Sequence, residues 1–288
     1  MRISWQQAAR IIAAALLILL LPVAIFLVTR KAVGNYSDPR GPLFEGSYAE
    51  EIGKFDGSLR VVTWNLHYAE KMEEIIDTLE NIPELRDADI LLFQEIDAEG
   101  ASSIARRLHY NYVLYPASFN RKRQKEVGNA IFAKVPLSDP AKIVLPNFLP
   151  GWLESRISTR ATISLGDREI HVYSTHFDIT WMIFTRGESQ GDFLAGEAGE
   201  EDKFIIMGGD FNTWNPASIA LLTKQLSNAG LQRLTTGAGY TFDWKGLKFT
   251  LDHIFSKPVN DYQAGVYRQT KASDHYPVWV TMTLDDLD

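Results

Sequence analysis

The chain contains no cysteine among its 288 residues and carries no excess of positive charge. The absence of cysteine excludes disulfide bonds, a thiol nucleophile and a thiolate metal site. The formal net charge is -7, so the chain has no global basic field that would hold nucleic acid or another polyanion. Any polyanionic ligand must therefore be bound by local groups.

Internal repeats and low-complexity segments are absent as well. Hydrophobic residues make up 45% of the chain, and about 230 residues remain beyond the N-terminal segment, enough for one sandwich-sized domain. Apolar residues at helical spacing predict a helix over residues 70–82, and further helices are predicted over 101–108 and from Asn215. Strands separated by these helices predict two packed sheets flanked by helices.

An unbroken apolar run occupies residues 11–28. As a helix it would be ~27 Å long, close to the hydrocarbon thickness of a bilayer. We therefore interpret residues 1–31 as a membrane anchor, residues 32–58 as a linker and residues 59–288 as the functional domain. A cleaved signal peptide ending near Ala32 is the competing interpretation.

Polar residues stand at the ends of several predicted strands. Residues 204–212, FIIMGGDFN, form an apolar run that ends in two glycines, Asp210 and Asn212. An extended backbone would direct these two side chains to the same side, and the glycines would let a substrate or a neighbouring chain approach closely. Comparable positions in the other predicted strands are held by Asn65, Glu95, His176, Asp252, Asp274 and His275.

The motifs that carry these residues follow one another as WN at Trp64, QE at Gln94, GNAIFAK from Gly128, STH ending at His176, GDFN, LDHIF and SDH. In this order the set resembles the endonuclease/exonuclease/phosphatase superfamily, which has the fold of deoxyribonuclease I. Arg186 and Gln190 stand four apart before the GDFN strand, as they do in that superfamily. The resemblance extends from about residue 59 to the C-terminus and implies a four-layer α/β sandwich. Two positions depart from the pattern, since His67 stands where some nucleases have an acidic residue and Phe177 replaces a common leucine.

Hydrolysis of a phosphate ester needs an activated water and a cation that neutralises charge on the phosphoryl oxygens. Glu95 offers hard oxygen ligands suited to Mg²⁺, and Asn65 offers a neutral oxygen beside it; Mn²⁺ could substitute. Clustered carboxylates repel one another without a cation, so the set predicts a metal. The resemblance leaves Asp274 free to help bind that metal.

His275 is the candidate general base, because a neutral imidazole accepts a proton near pH 7 while a carboxylate holds its other nitrogen. The resemblance implies that Asp252 is this carboxylate. Asp210 is expected to position or deprotonate the attacking water, Asn212 to hold a phosphoryl oxygen and His176 to donate to the phosphate.

Substrate contacts are predicted from residues outside this set. The segment 119–126 is basic, and it could grip a phosphate backbone or an anionic lipid surface, or be a solvated loop. Segments 146–153 and 181–184 are rich in large apolar residues, which suggests insertion into lipid or a hydrophobic substrate wall, with core packing as the alternative. The candidate substrate-binding residues are Arg121, Arg123, Asn129 and Arg186.

The sequence therefore predicts a membrane-anchored, metal-dependent phosphodiesterase. A lipid headgroup is favoured over nucleic acid by the apolar segments and the acidic charge balance. The competing functions are an extracytoplasmic nuclease and a catalytically inactive, membrane-tethered binding module. We expect the domain to lie outside the cytoplasm, although the charges that flank the apolar run nearly balance and leave its orientation open. No obligate protein partner is evident.

Overall fold

The computed structural model of the protein describes residues 33–49, 57–146, 154–179, 189–199, 202–258 and 261–283, together with Leu20. Apart from Leu20, the apolar run at residues 11–28 lies outside these ranges, so the anchor stays a prediction. Within the described ranges, no helix is both long enough and apolar enough to cross a bilayer.

Eight of the described strands form the first sheet, in the neighbour order β1, β5, β6, β4, β3, β16, β15, with β2 also paired to β5. Only β3 and β4 run parallel in this sheet as described. The bounds of its strands are β1 (Val33–Asn35), β2 (Phe44–Gly46), β3 (Ser58–Asn65), β4 (Ile90–Ile96), β5 (Asn111–Asn120), β6 (Lys125–Ala133), β15 (Tyr262–Val266) and β16 (Val278–Thr283).

Six described strands form the second sheet, in the neighbour order β11, β14, β10, β9, β8, β7. Here β9 and β10 are the parallel pair. The bounds are β7 (Leu137–Val144), β8 (Ile157–Leu165), β9 (Arg168–His176), β10 (Ile205–Asp210), β11 (Gln232–Arg233) and β14 (Asp252–Lys257). A separate two-stranded hairpin joins β12 (Phe242–Trp244) to β13 (Leu247–Phe249).

The described α-helices are α1 (Met72–Asn81), α2 (Ala98–Leu108), α3 (Gln190–Glu197) and α4 (Pro216–Ser227). Three of them, α1, α2 and α4, confirm helices predicted from the sequence. Helix α2 begins three residues earlier than predicted, because the Asp97 side chain caps it by accepting a hydrogen bond from Gly100 N at 2.8 Å. Asn215 caps α4 through a reciprocal pair of hydrogen bonds with Ser218.

Three apolar clusters separate four layers. One fills the space between the sheets and includes Leu92 and Ile206. A second packs α1 and α2 on the outer face of the first sheet, and a third packs α3 and α4 on the outer face of the second. Each fully buried aliphatic side chain contributes about 1.5–3 kcal/mol to this packing. The expected arrangement of two packed sheets flanked by helices is confirmed.

Gly209 allows the two central strands of the second sheet to approach closely. A Cβ atom at this position would collide with the backbone carbonyl of Thr175 on β9. The glycine of the GDFN motif therefore has a structural purpose that is independent of any ligand, since it lets β10 pair closely with β9.

The structure differs from the expected linker over residues 32–58. Residues 33–46 contribute β1 and β2, which pair with β5. Lys142 of β7 is buried and donates from Nζ to the carbonyl oxygens of Tyr36 at 2.5 Å and Gly41 at 3.2 Å. The sequence signal was weak because two strands of three residues are too short to show an alternating pattern.

Burial lowers the pKa of Lys142 to about 8, from an ordinary value of 10.5, and the nearby Asp38 carboxylate offsets this only in part. Between about pH 8 and pH 10.5 the unfolded chain therefore binds a proton that the folded chain has released. The free energy of unfolding must rise with pH across this window.

We predict that the stability of the wild type relative to Lys142→Met increases by about 1–2 kcal/mol between about pH 7 and pH 10. Denaturant unfolding of both full-length chains measures this difference. Exposed Lys224 on α4 supplies the matched control, and the difference measured with Lys224→Met should stay flat. A flat or falling difference for Lys142→Met would contradict the prediction.

Candidate active site

The ends of the parallel strand pairs meet at one edge of the two sheets, which we name the site edge. Strand β3 ends there at Asn65, and Glu95 lies near the end of β4. Strands β9 and β10 end there at His176 and Asp210. Strand β14 runs in the opposite direction and begins at the site edge with Asp252. The fold thus brings side chains from distant parts of the sequence together.

Asp210 is the point at which both sheets meet. The register of β10 places it opposite His176 on one side and Asp252 on the other. From the first sheet, Asn65 Nδ2 donates to Asp210 Oδ2 at 3.0 Å. His176 Nε2 lies 3.5 Å from the same oxygen. The expected grouping of these four residues is therefore present.

His275 completes the group from the loop before β16. Its Nδ1 lies 2.9 Å from Asp252 Oδ2, and its Nε2 lies 3.7 Å from Asp210 Oδ2. Trp64 Nε1 donates to the His275 carbonyl at 2.9 Å, and the Phe242 ring packs 4.8 Å from the imidazole. The ring is thereby fixed between two carboxylates, with Asp252 as the partner that the resemblance implied.

The charges of this group are strongly coupled. Burial raises the pKa of Asp210, and the neighbouring Asp252 raises it further, while His275 offsets part of the effect. Burial alone lowers the pKa of His275, but the carboxylates of Asp252 and Asp210 outweigh it and raise this pKa above its usual range. The expectation of a neutral His275 near pH 7 is therefore revised, because the two carboxylates favour the imidazolium.

His176 is held in the neutral form by its surroundings. Burial lowers its pKa well below the usual value, and the positive charge of Arg156 lowers it further. The Arg156 guanidinium approaches the ring, with Nη1 3.2 Å from Nδ1 of His176. A neutral His176 can still donate a hydrogen bond from one ring nitrogen.

Asn212 lies just beyond β10 in the left-handed region, with φ 51°. Its backbone N donates to Asp210 Oδ1 at 2.9 Å, and its Nδ2 donates to the carbonyl of Phe177 at 2.8 Å. Asparagine tolerates this backbone conformation better than most residues, because its short polar side chain bonds locally. Asn212 therefore braces Asp210 and joins the ends of β9 and β10.

The predicted metal ligands occupy different positions at the site edge. Burial raises the pKa of Glu95, which Arg156 and a hydrogen bond from Asn65 offset in part, and the side chain stays partly exposed. Asp274 is 43% exposed, and its Oδ2 lies 3.2 Å from Nδ1 of His67. Glu95 offers hard oxygens beside solvent, which fits a Mg²⁺ ion that keeps several waters. Asn65 is buried, and its Oδ1 accepts a hydrogen bond from His67 N at 3.0 Å, which leaves one lone pair of this oxygen for an ion.

A second arrangement of ligand-type side chains is more compact. Among the described residues, Asp210, Asp252 and His275 bring one ligand atom each within 4.8 Å of one another. The short contact between Asp252 and His275 explains this closeness without an ion, and Asp252 is fully buried. Glu95 and Asn65 stay the metal ligands that the sequence predicts.

Asn129, one of the predicted substrate-binding residues, has structural partners. Asn129 is buried and donates from Nδ2 to the carbonyls of Ile157 and Ser174, so the interpretation as a substrate contact is wrong for this side chain. It belongs to a polar layer beneath the site edge, where Gln94 Nε2 also donates to Ser174 Oγ at 3.1 Å. Alternation along β6 turns Asn129 inward, which the GNA motif did not reveal.

The basic segment forms the turn between β5 and β6 at the site edge. Arg123 stacks over the Tyr68 ring at 4.1 Å and forms an ion pair with Glu70, while Arg121 stays exposed. Lys125 Nζ lies 2.9 Å from Asp97 Oδ2. Arg186 lies outside the described residues.

Arg156 and Tyr68 lie near the site and were not singled out from the sequence, whereas His67 was noted only as a departure from the family pattern. Arg156 directly precedes β8, and its position before a buried strand was the available signal. His67, Tyr68 and Ala69 form a 3-10 turn after Asn65, in which all three have positive φ. No glycine marks this turn, so composition gave no signal for its backbone.

The sequence matches the model of the Endonuclease/Exonuclease/phosphatase family over residues 62–275. A UPF0294 protein of Vibrio cholerae serotype O1 is 30% identical over 244 residues, which cover 81% of each chain. UPF0294 proteins of Vibrio vulnificus are 31% identical over 118 residues, and this match spans 39% of their length.

Solved structures share the fold at low sequence identity. An endonuclease/exonuclease/phosphatase family protein from Leptotrichia buccalis superposes with a TM-score of 0.65 at 18% identity, over 78% of this chain and 100% of that chain. TDP2 of D. rerio, in a complex with a single-strand DNA product, gives a TM-score of 0.60 at 16% identity, over 80% and 100%. The family match covers most of the chain, and the structural neighbours have the same architecture. The chain therefore belongs to the endonuclease/exonuclease/phosphatase family.

Proposed function

We propose that this chain is a divalent-metal-dependent phosphoester hydrolase that cleaves a phosphodiester. The observation that carries the proposal is the environment of Asp210. A buried carboxylate accepts from Asn65 and lies within 4 Å of ring nitrogens of His176 and His275. Such a group of a base, oriented imidazoles and an amide meets the needs of attack by water on phosphorus.

Asp210 is the proposed general base. Its raised pKa makes it a better proton acceptor than an ordinary aspartate, and Asn65 and Asn212 hold its two oxygens in place. His275, kept protonated by Asp252, is then suited to stabilise negative charge that develops on a phosphoryl oxygen. This assignment replaces the expected role of His275 as the base.

Arg156 and His176 are proposed to bind the phosphate. Arg156 brings a fixed positive charge to a site that otherwise collects carboxylates, and its planar guanidinium suits phosphoryl oxygens. His176 lies between Arg156 and Asp210, where a neutral imidazole can donate to the same group. Mg²⁺ or Mn²⁺ held by Glu95 and Asn65, with Asp274 nearby, would neutralise further charge on those oxygens.

A lipid phosphodiester is the favoured substrate, and the membrane is the proposed location of the protein. Support comes from the apolar run at residues 11–28 and from the acidic net charge of -7. The catalytic domain is proposed to lie outside the cytoplasm. A domain held at a bilayer meets lipid headgroups without first binding them from solution.

Nucleic acid is the second candidate substrate. The similarity to TDP2 of D. rerio, solved with a single-strand DNA product, favours it. Arg121 and Lys122 are exposed in the turn at the site edge and could contact a phosphate backbone. A catalytically inactive binding module is disfavoured, because each proposed catalytic position holds a side chain capable of its role.

Metal dependence tests the proposal directly. Hydrolysis of bis(p-nitrophenyl) phosphate should vanish in excess chelator and return with Mg²⁺ or Mn²⁺. Glu95→Gln should lower turnover about a hundredfold or more, since the amide is a weaker ligand. Glu84→Gln, at an exposed turn away from the site edge, is the matched control. Full activity in excess chelator would rule out the proposed mechanism.

Removal of the His275 imidazole should lower turnover more than loss of its carboxylate partner Asp252. His275→Ala is expected to lower kcat by about a hundredfold or more, and Asp252→Asn should lower it less, since the ring is retained and Asp210 still raises the pKa of His275. Steady-state kinetics on the soluble diester measure both, with thermal melts as the check on folding. Near-normal turnover of His275→Ala would show that the role is misassigned.

Both the planar shape and the positive charge of the Arg156 guanidinium should contribute to kcat/KM. Arg156→Gln is predicted to lower kcat/KM about a hundredfold, and Arg156→Lys should recover part of this loss by restoring a positive charge. Arg106→Gln, on the exposed face of α2, serves as the control. Equal activity of the Gln variant and the wild type would exclude Arg156 from phosphate binding.

A further inference from the structure

The β12–β13 hairpin exposes two large apolar side chains beside the candidate active site. Trp244 is 54% exposed and Leu247 is 55% exposed, and the two residues are cross-strand partners. The turn between them consists of Lys245 and Gly246, both with positive φ, as a tight two-residue hairpin requires. Lys245 Nζ lies 5.4 Å from the centroid of the Trp244 ring. The tip therefore combines apolar and cationic groups.

The base of this hairpin is firmly packed. Phe242 contacts the His275 imidazole at 4.8 Å, and Trp214 packs against Phe249 at 4.8 Å. Thr241 N donates to the carbonyl of Phe249 at 2.8 Å. Trp244 lies two residues beyond Phe242, a distance of about 7 Å along an extended strand. The tip thus holds a fixed position relative to His275.

The base of the hairpin lies at the site edge. Strand β14 begins at the site edge with Asp252, opposite Asp210. The hairpin occupies residues 242–249, just before this strand, and Phe242 pairs with His275 as an isolated β-bridge. Trp244 and Leu247 therefore belong to an element that borders the candidate active site.

Two other features lie at the same edge. Val33, at the start of β1, pairs with Asn120 and therefore lies next to the β5–β6 turn. This turn carries exposed Arg121 and Lys122. In the sequence, four residues separate the apolar run at residues 11–28 from Val33, and five extended residues span at most about 17 Å. A membrane that holds this run would therefore lie close to the site edge.

We propose that the hairpin tip is a membrane contact, in which Trp244 and Leu247 enter the interfacial region of an anionic bilayer and the site edge faces the lipid. Tryptophan suits the headgroup region, and lysine side chains reach anionic lipids while their stems stay in apolar surroundings. Nucleic acid is a poorer occupant, because leucine cannot stack on a base as an aromatic ring can. This inference rests on the proposed membrane location and substrate.

The absence of cysteine allows a direct test with a single label. Leu247→Cys in the full chain is labelled with a polarity-sensitive fluorophore and reconstituted in phosphatidylcholine–phosphatidylglycerol vesicles. The emission should shift to shorter wavelength and be quenched by nitroxide-labelled lipid. The same label on Glu84→Cys, which lies in an exposed turn away from the site edge, should remain in water. A Leu247→Cys label that stays water-exposed, or that responds only to a single-stranded oligonucleotide, would overturn the proposal.

Turnover provides the second measurement. The double substitution Trp244→Ser with Leu247→Ser should lower the ratio of activity on vesicle phospholipid to activity on bis(p-nitrophenyl) phosphate about tenfold or more. Leu221→Ser, at an exposed leucine of α4, is the matched control and should leave this ratio unchanged. An unchanged ratio in the double variant would also refute the proposal. If the soluble diester is not hydrolysed at all, the proposed function fails, whereas the label still reports whether the tip contacts lipid.

Discussion

The register of β10 between its two neighbours is the constraint on which the rest of the site depends. Because β10 runs parallel to β9 and antiparallel to β14, His176, Asp210 and Asp252 share one row across the second sheet. A shift by one residue would turn Asp210 to the opposite face. Gly209 protects this register, since a side chain there would push β9 and β10 apart. The hydrogen bond from Asn65 then ties the row to the other sheet.

The negative charge of a buried carboxylate must be offset by hydrogen-bond donors or positive charge, and several elements of the chain supply these groups. Asp210 is surrounded by donors from the first sheet, from the loop after β10 and from the loop before β16. Arg156 supplies a permanent positive charge near both His176 and Glu95. The overall acidity of the chain therefore coexists with a site whose electrostatics are set by a few close contacts.

Much of the architecture followed from the sequence, because apolar runs and polar strand ends are strong local signals. The strand-end motifs correctly identified Asn65, His176, Asp210, Asp252 and His275 as residues that meet. Contacts that depend on register were harder to predict, and Asn129 shows this, since one face of β6 turns it into the polar layer. The charge of His275 also could not be inferred from its neighbours in sequence, because Asp210 lies 65 positions away along the chain. Short edge strands such as β1 carry too few residues for a pattern.

The 3-10 turn of His67, Tyr68 and Ala69 has a consequence for how this family member can evolve. Three successive residues with side chains occupy the left-handed region, and each costs of order 1–3 kcal/mol where the surroundings hold it there. Glycine would relieve this strain, yet it would remove the side chain that stacks under Arg123 and the one that pairs with Asp274. Selection for a more stable chain and selection for a fixed site wall therefore act in opposite directions at His67 and Tyr68.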